Sequence, residues 1–142
     1  MYQIKKKFGP YPFAHRQHKH TGHCSYVHGH NWYFEVILEG DELDDVGFVY
    51  DFGKFKRFKH WLEYMFDHTL LINKDDPQID DFIERNGELW DMREVDGGSS
   101  ELIAKMVFEF LHALLNNTMD ADKLVSVRVI EDEKNSAIYE RE

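Results

Sequence analysis

His28-Gly29-His30 sets two imidazoles two residues apart, and on an extended strand that spacing turns both to one face. His15 lies upstream, and Cys24, the chain's single cysteine, lies between it and the pair. A third histidine from a neighbouring strand would complete a three-imidazole set with its fourth position open, which is how catalytic zinc is commonly held. A thiol four residues before the pair would sit beside whatever filled that position, and a metal or cationic neighbours would draw its pKa down toward neutrality. The plainer readings are a solvated histidine-rich loop and a cysteine used as a small buried hydrophobe. Solvation suits His18 and His20, since not every imidazole can be a ligand, and His23 fits either reading.

Two further sites of chemistry lie downstream. Asp67-His68 follows a helical pattern, so the histidine is either a helix-end residue favoured by the dipole or an imidazole oriented by a carboxylate to relay protons for Cys24. Glu131 stands on an otherwise apolar strand pattern. Facing outward it is ordinary surface; facing inward it is a carboxylate suited to accept two parallel hydrogen bonds from an aminopyrimidinone ring.

The elements that must position these groups follow from periodicity. Residues 2–9 and 31–39 read as strands, with Trp32, Phe34, Val36 and Leu38 on one face of the second, and a loop between them carries the histidines from His15 to His30. Residues 47–51 read as a short strand end. Phe55, Phe58, Leu62 and Met65 predict an amphipathic helix over 53–66. A longer helix over 100–116 has Ser99 as its N-cap, Glu101 in its first turn and a stripe from Leu102 to Leu114. Strands over 123–131 and 137–140 flank a turn at 132–136. The acidic stretch 75–98 reads as a helical turn near 78–85 and a short strand near 88–95. The expected architecture is one α+β domain, ββααββ, an antiparallel sheet with two helices on one face. Its open edges call for oligomerisation.

Composition removes several function classes. At 142 residues the chain forms a single domain whose core needs no disulfide. A formal net charge of −10 argues against a nucleic-acid partner and gives a polyanionic substrate no global help. No apolar run approaches membrane-spanning length. The opening Met1-Tyr2-Gln3-Ile4-Lys5-Lys6-Lys7 lacks the apolar core of a secretory leader, and a lone cysteine fits a reducing compartment, so the cytoplasm is the expected location.

Six segments, in order along nearly the whole chain, carry a resemblance. Tyr11-Pro12-Phe13-Ala14-His15 resembles F-x-A-A-H, Cys24 to Asn31 resembles C-x-x-x-H-G-H-[NS], and Gly47 to Phe52 matches G-x-V-x-D-F. Phe66 to Leu71 resembles L-D-H-x-x-L, Ser99-Ser100-Glu101 resembles a [PG]-T-x-E helix start, and Val129-Ile130-Glu131 resembles V-x-E-T. These are motifs of the 6-pyruvoyltetrahydropterin synthase family, and the chain most resembles its bacterial branch that makes 6-carboxytetrahydropterin for queuosine biosynthesis. The resemblance implies the tunnelling fold, with subunits joined into a trimeric barrel and two trimers stacked as a hexamer. It implies zinc on His15, His28 and His30, and a proton-transfer group of Cys24, Asp67 and His68 assembled across a subunit boundary. Glu131 would anchor the pterin, with Ser99 and Ser100 beside it as substrate-binding residues.

The implied reaction converts 7,8-dihydroneopterin triphosphate to 6-carboxy-5,6,7,8-tetrahydropterin, releasing acetaldehyde and triphosphate. The alternative within the family eliminates triphosphate only and leaves a pyruvoyl product. The three-residue gap between Cys24 and His28 resembles the first branch. A non-catalytic zinc- or pterin-binding protein on the same fold would keep the histidines with no need of Cys24 or Asp67-His68. Three features depart from the pattern: Tyr11 and Phe13 beside the first ligand, Ser99 in place of Thr, and a lengthened connector over 75–98 that would serve as a lid or an extra interface.

Overall fold

Strict alternation builds the two long strands. A computed structural model describes residues 1–142, and in its β2 (His28–Gly40) the side chains of Trp32, Phe34, Val36 and Leu38 are fully buried between half-exposed neighbours. Strand β1 (Tyr2–His15) pairs with it antiparallel from Tyr2 opposite Gly40 to His15 opposite His28. The ladder slips by one residue between Phe8 and Tyr11. This bulge changes the phase of β1, so that Tyr11, Phe13 and His15 face the same core as Phe8. Gly9 makes it possible: its φ is +112°, and a Cβ there would lie 2.7 Å from the Trp32 carbonyl oxygen.

The histidine-bearing segment is therefore shorter as a loop than the sequence predicts. Both strands continue through it, placing His15, His28 and His30 on strands and leaving only residues 16–27 as connection. Ladder pairing outweighs the local polarity that argued for a loop, because a strand's inward face needs only every second residue buried.

The chain continues through α1 (Lys56–Phe66), β3 (Thr69–Asn73), α2 (Ile79–Glu84), β4 (Met92–Val95), α3 (Ser100–Asn116), β5 (Leu124–Ile130) and β6 (Ser136–Glu140). The sheet order is β4-β3-β1-β2-β5-β6. The expected ββααββ antiparallel plan is corrected here. The sheet is mixed, with β3 parallel to both β1 and β4, and a third helix crosses between β3 and β4. β3 escapes alternation because all five of its residues are buried; a continuous apolar run directly after a helix is ambiguous by periodicity. Residues 47–51 are not a strand end but irregular chain leaving a turn over residues 44–48. The Asp44 carboxylate accepts the amides of Val46 and Phe48, and Gly47 adopts φ +94°, which fixes a tight reversal. Asp51 then caps the short helical turn Phe52–Phe55 that leads into α1.

α1 and α3 lie on one face, as expected. Their Trp61 and Phe110 rings stack at 3.9 Å, and one contiguous core joins both helices to the sheet. α3 starts at the Ser99 hydroxyl, which accepts the Leu102 amide. No helix is long and apolar enough to cross a membrane.

Candidate metal centre

Where the core face of β1 and β2 runs out, the buried residues change from aromatic to imidazole. Trp32 forms the floor, with its indole nearly perpendicular to the rings of His15 and His30 at 5.0 and 5.4 Å. That floor is itself fixed: Trp32 stacks on Phe13 at 4.3 Å and its Nε1 donates to the Phe13 carbonyl. Above it stand His15, directly opposite His28 on the adjacent strand, and His30 two residues on. One ligand atom from each of these three, together with a carboxylate oxygen of Glu131, lies within 4.8 Å of all the others.

Tautomers are set by backbone carbonyls. His15 Nδ1 lies 2.6 Å from the Gly98 oxygen, and His28 Nδ1 lies 2.7 Å from the Tyr26 oxygen. Each Nδ1 therefore carries its proton to a carbonyl and leaves Nε2 as the lone-pair nitrogen. The Nε2 atoms of His15 and His30 are buried without a hydrogen-bond partner. Burial pushes the His15 pKa below the ordinary imidazole value, and neighbouring His28 pushes it the same way, against the raising effect of the Gly98 carbonyl and the Glu131 charge. Imidazole nitrogens converging on one point, two of them buried and unpartnered, are what a divalent cation of intermediate softness requires, so the residues fit a metal.

Glu131 takes the inward of its two sequence readings. It stands just beyond β5, and its carboxylate lies 3.2 Å from His30 Nε2 and 3.6 Å from His15 Nε2. Ser100 Oγ donates to its other oxygen at 3.2 Å. The Ser99 hydroxyl oxygen caps α3 by accepting the Leu102 amide. A cleft of about 500 Å³ opens onto His30 and Glu131, with Lys7, Asn31, Tyr33 and Asp132 on its walls.

The remaining expected residues do not join this cluster. Cys24 is exposed on a short helical turn, His23–Ser25, in the loop that the Gln17 amide closes on the Cys24 carbonyl. Asp67 and His68 form a pair of their own at 2.7 Å on the surface after α1. His68 has φ +61°, and its amide donates to the Pro12 carbonyl. His20 turns its Nδ1 to the Gly22 amide, as befits a loop residue. His18 departs from the solvated reading: its side chain is buried, 3.4 Å from Asn73 Nδ2. Asn73, Gly98 and the Arg16–Asp76 pair all support this corner and were not singled out by sequence reasoning. The only available signals were the polar residue ending the Leu70-Leu71-Ile72 run and the Gly97-Gly98 doublet.

Comparison with known proteins agrees with this geometry. Residues 3–142 match the family model described as 6-pyruvoyl tetrahydropterin synthase. The chain is similar to the 6-carboxy-5,6,7,8-tetrahydropterin synthase of Bacillus subtilis, at 30 % identity over 119 residues covering 84 % of this chain and 71 % of the other. A protein of the same name from Rickettsia typhi is 37 % identical over 72 residues, 50 % of this chain and 52 % of that one, so the matching part spans about half of that relative. Among solved structures, an uncharacterised protein of Wolinella succinogenes superposes with TM-score 0.85 at 26 % identity, covering 99 % of this chain and 98 % of the other. The 6-pyruvoyl tetrahydropterin synthase of Caenorhabditis elegans superposes with TM-score 0.72 at 25 % identity, covering 99 % and 96 %.

Proposed function

The chain belongs to the 6-pyruvoyl tetrahydropterin synthase family, and on that premise we propose that it is a zinc-dependent lyase acting on 7,8-dihydroneopterin triphosphate. The products are 6-carboxy-5,6,7,8-tetrahydropterin, acetaldehyde and triphosphate, with one water consumed. The observation that carries this reading is the convergence of His15, His28 and His30 on one point, two of their nitrogens buried and unpartnered. The names of the similar Bacillus and Rickettsia proteins favour the carboxy product over the pyruvoyl one.

His15, His28 and His30 would hold the ion. When bound it supplies Lewis acidity to the substrate's side-chain hydroxyls. Glu131 accepts two hydrogen bonds from the aminopyrimidinone edge, with Ser100 steadying its other lone pairs. Cys24, as thiolate, takes a proton from the substrate side chain. His68, held by Asp67, supplies or accepts the counterpart proton. Trp32 closes the floor against water.

Cys24 and the Asp67–His68 pair are both exposed, and the sheet ends in two unpaired edges, β4 and β6. A homo-oligomer, a hexamer of two trimers, would pair those edges and bring one subunit's Asp67–His68 to another's metal centre. The deciding experiment is incubation with dihydroneopterin triphosphate and separate assays for acetaldehyde and triphosphate. Release of both supports the proposal, triphosphate alone replaces the product with the pyruvoyl one, and neither overturns the substrate.

A further inference from the structure

We propose that Asn73 is a positioning residue for the metal centre, acting on His15 through Gly98 and fastening the lengthened 75–98 segment to that centre. The inference rests on the metal reading above and adds a residue to it.

His15 is oriented by a carbonyl, and that carbonyl belongs to a glycine in a Gly97-Gly98 doublet between β4 and the cap of α3. Two consecutive glycines have the widest conformational freedom of any dipeptide, so a carbonyl among them orients nothing unless something else holds it. Asn73 does so. Its Oδ1 accepts the Gly98 amide at 2.8 Å, while the Gly98 oxygen lies 2.6 Å from His15 Nδ1. Both polar groups of one residue are thereby used, the amide by Asn73 and the carbonyl by the ligand.

The orientation of the Asn73 side chain is fixed by chemistry. A backbone amide only donates, so the atom facing Gly98 is the oxygen, and Nδ2 is left to face His18 Nδ1 at 3.4 Å. Asn73 is buried, and so is the His18 side chain, which lies 3.7 Å from Asp75. Space for a side chain at the doublet is tight, most consequentially at Gly98. A Cβ on Gly98 would meet Asn73 Oδ1 at 3.2 Å and His15 Cβ at 3.8 Å, and one on Gly97 would fall 2.1 Å from Leu102.

This arrangement gives the extra segment a purpose. Asn73 ends β3, the segment leaves there, and parallel pairing of Asn73 with Val95 in β4 returns it to Gly98. A second anchor at its start is the Arg16–Asp76 ion pair, made by the residue following His15 to a carboxylate with no solvent exposure. Departure and return of the segment are both pinned beside the first ligand. It braces the metal centre, whatever the exposed middle of the segment does besides.

Titration of the metal-free protein with cobalt(II) against a competing chelator tests this, with the visible ligand-field spectrum read in parallel. Asn73→Ala should weaken cobalt binding by about ten- to a hundredfold and alter the spectrum, while Asn73→Asp, which keeps the accepting oxygen, should stay within about threefold of wild type. Equal affinity and spectrum for Asn73→Ala and wild type overturn the proposal, as does an Asp variant as weak as the Ala variant. In the unmodified protein, hydrogen exchange at the Gly98 amide should slow on cobalt binding; unchanged exchange also overturns it, and this readout stands even where Asn73→Ala does not fold. Wild type that binds no cobalt refutes the metal reading itself, a result distinct from all of these.

Discussion

The metal centre and the Asp67–His68 pair flank the same stretch of β1, yet they are opposites. Phe13 pairs with His30 on one side and with Thr69, the residue after His68, on the other. On the first side everything is fixed: His15 is 3 % exposed, its tautomer is set, and an aromatic floor lies beneath it. On the second side the His68 side chain is 81 % exposed, and its only side-chain partner is the adjacent carboxylate. Holding an ion against water requires burial and preset geometry within one chain. A proton carrier left on the surface is either idle or half of a site that a neighbouring subunit completes.

The largest expected effect separates the two regions at once. His30→Ala should reduce bound metal from one per chain to a trace, measured by elemental analysis after desalting, whereas His68→Ala should leave the metal content intact. Equal metal loss in both variants would abolish the distinction. Next in size, Cys24→Ala and His68→Ala should each lower turnover by about 10²–10⁴-fold with metal retained, the range for removing an acid–base group. Mixing the two inactive variants under conditions of subunit exchange should restore part of the activity, because some interfaces then carry an intact Cys24 facing an intact His68. If the mixture stays as inactive as its components while exchange is demonstrated, the two groups serve a single subunit.

A smaller effect probes the bulge that turns His15 inward. Gly9→Ala should cost about 1–3 kcal/mol in denaturant unfolding, since it combines a left-handed φ with a Cβ pressed onto the Trp32 carbonyl. Gly47→Ala shares the positive φ but has open space, and should cost about 1 kcal/mol. Parity between the two would mean that the close approach at Gly9 is easily relaxed.

Much of the metal centre is legible in the H-x-H spacing, which has one geometric outcome once β2 is extended back to His28, and the alternation that buries Trp32 turns His30 to the same face. The two long helices were legible through their stripes and the Ser99 cap. What stayed hidden depends on partners distant in sequence. β3 carries no period to read, so the strand expected near 88–95 has no partner in the sequence reading, and Asn73, which lies beside Gly98 only once Val95 has paired with it, stays hidden too. The direction of Glu131 was likewise open, since an acidic residue at a strand end gains an inward face only when Ser100 and two imidazoles are there to receive it. His18 looked solvated for the same reason. Its cover comes from β3 and the segment after it, not from its own loop.

The smallest effect measures how far the exposed pair is felt in the core. Tyr11 lies in β1 between the two regions; burial first, then the charges of Glu63 and Asp67, push its phenol up to about 12. The folded protein thus keeps a proton that the unfolded chain releases near 10, so the stability Tyr11 contributes is full below pH 10 and is lost as pH rises toward 12. Spectroscopic titration of tyrosinate should show two late phenols among the seven tyrosines, because burial also raises Tyr50, and Tyr11→Phe should remove one of them. Asp67→Asn should lower the Tyr11 midpoint while leaving that of Tyr50 in place. An unmoved Tyr11 would mean that the Asp67 charge is screened at the surface, and that the two sides of β1 communicate only through the backbone they share.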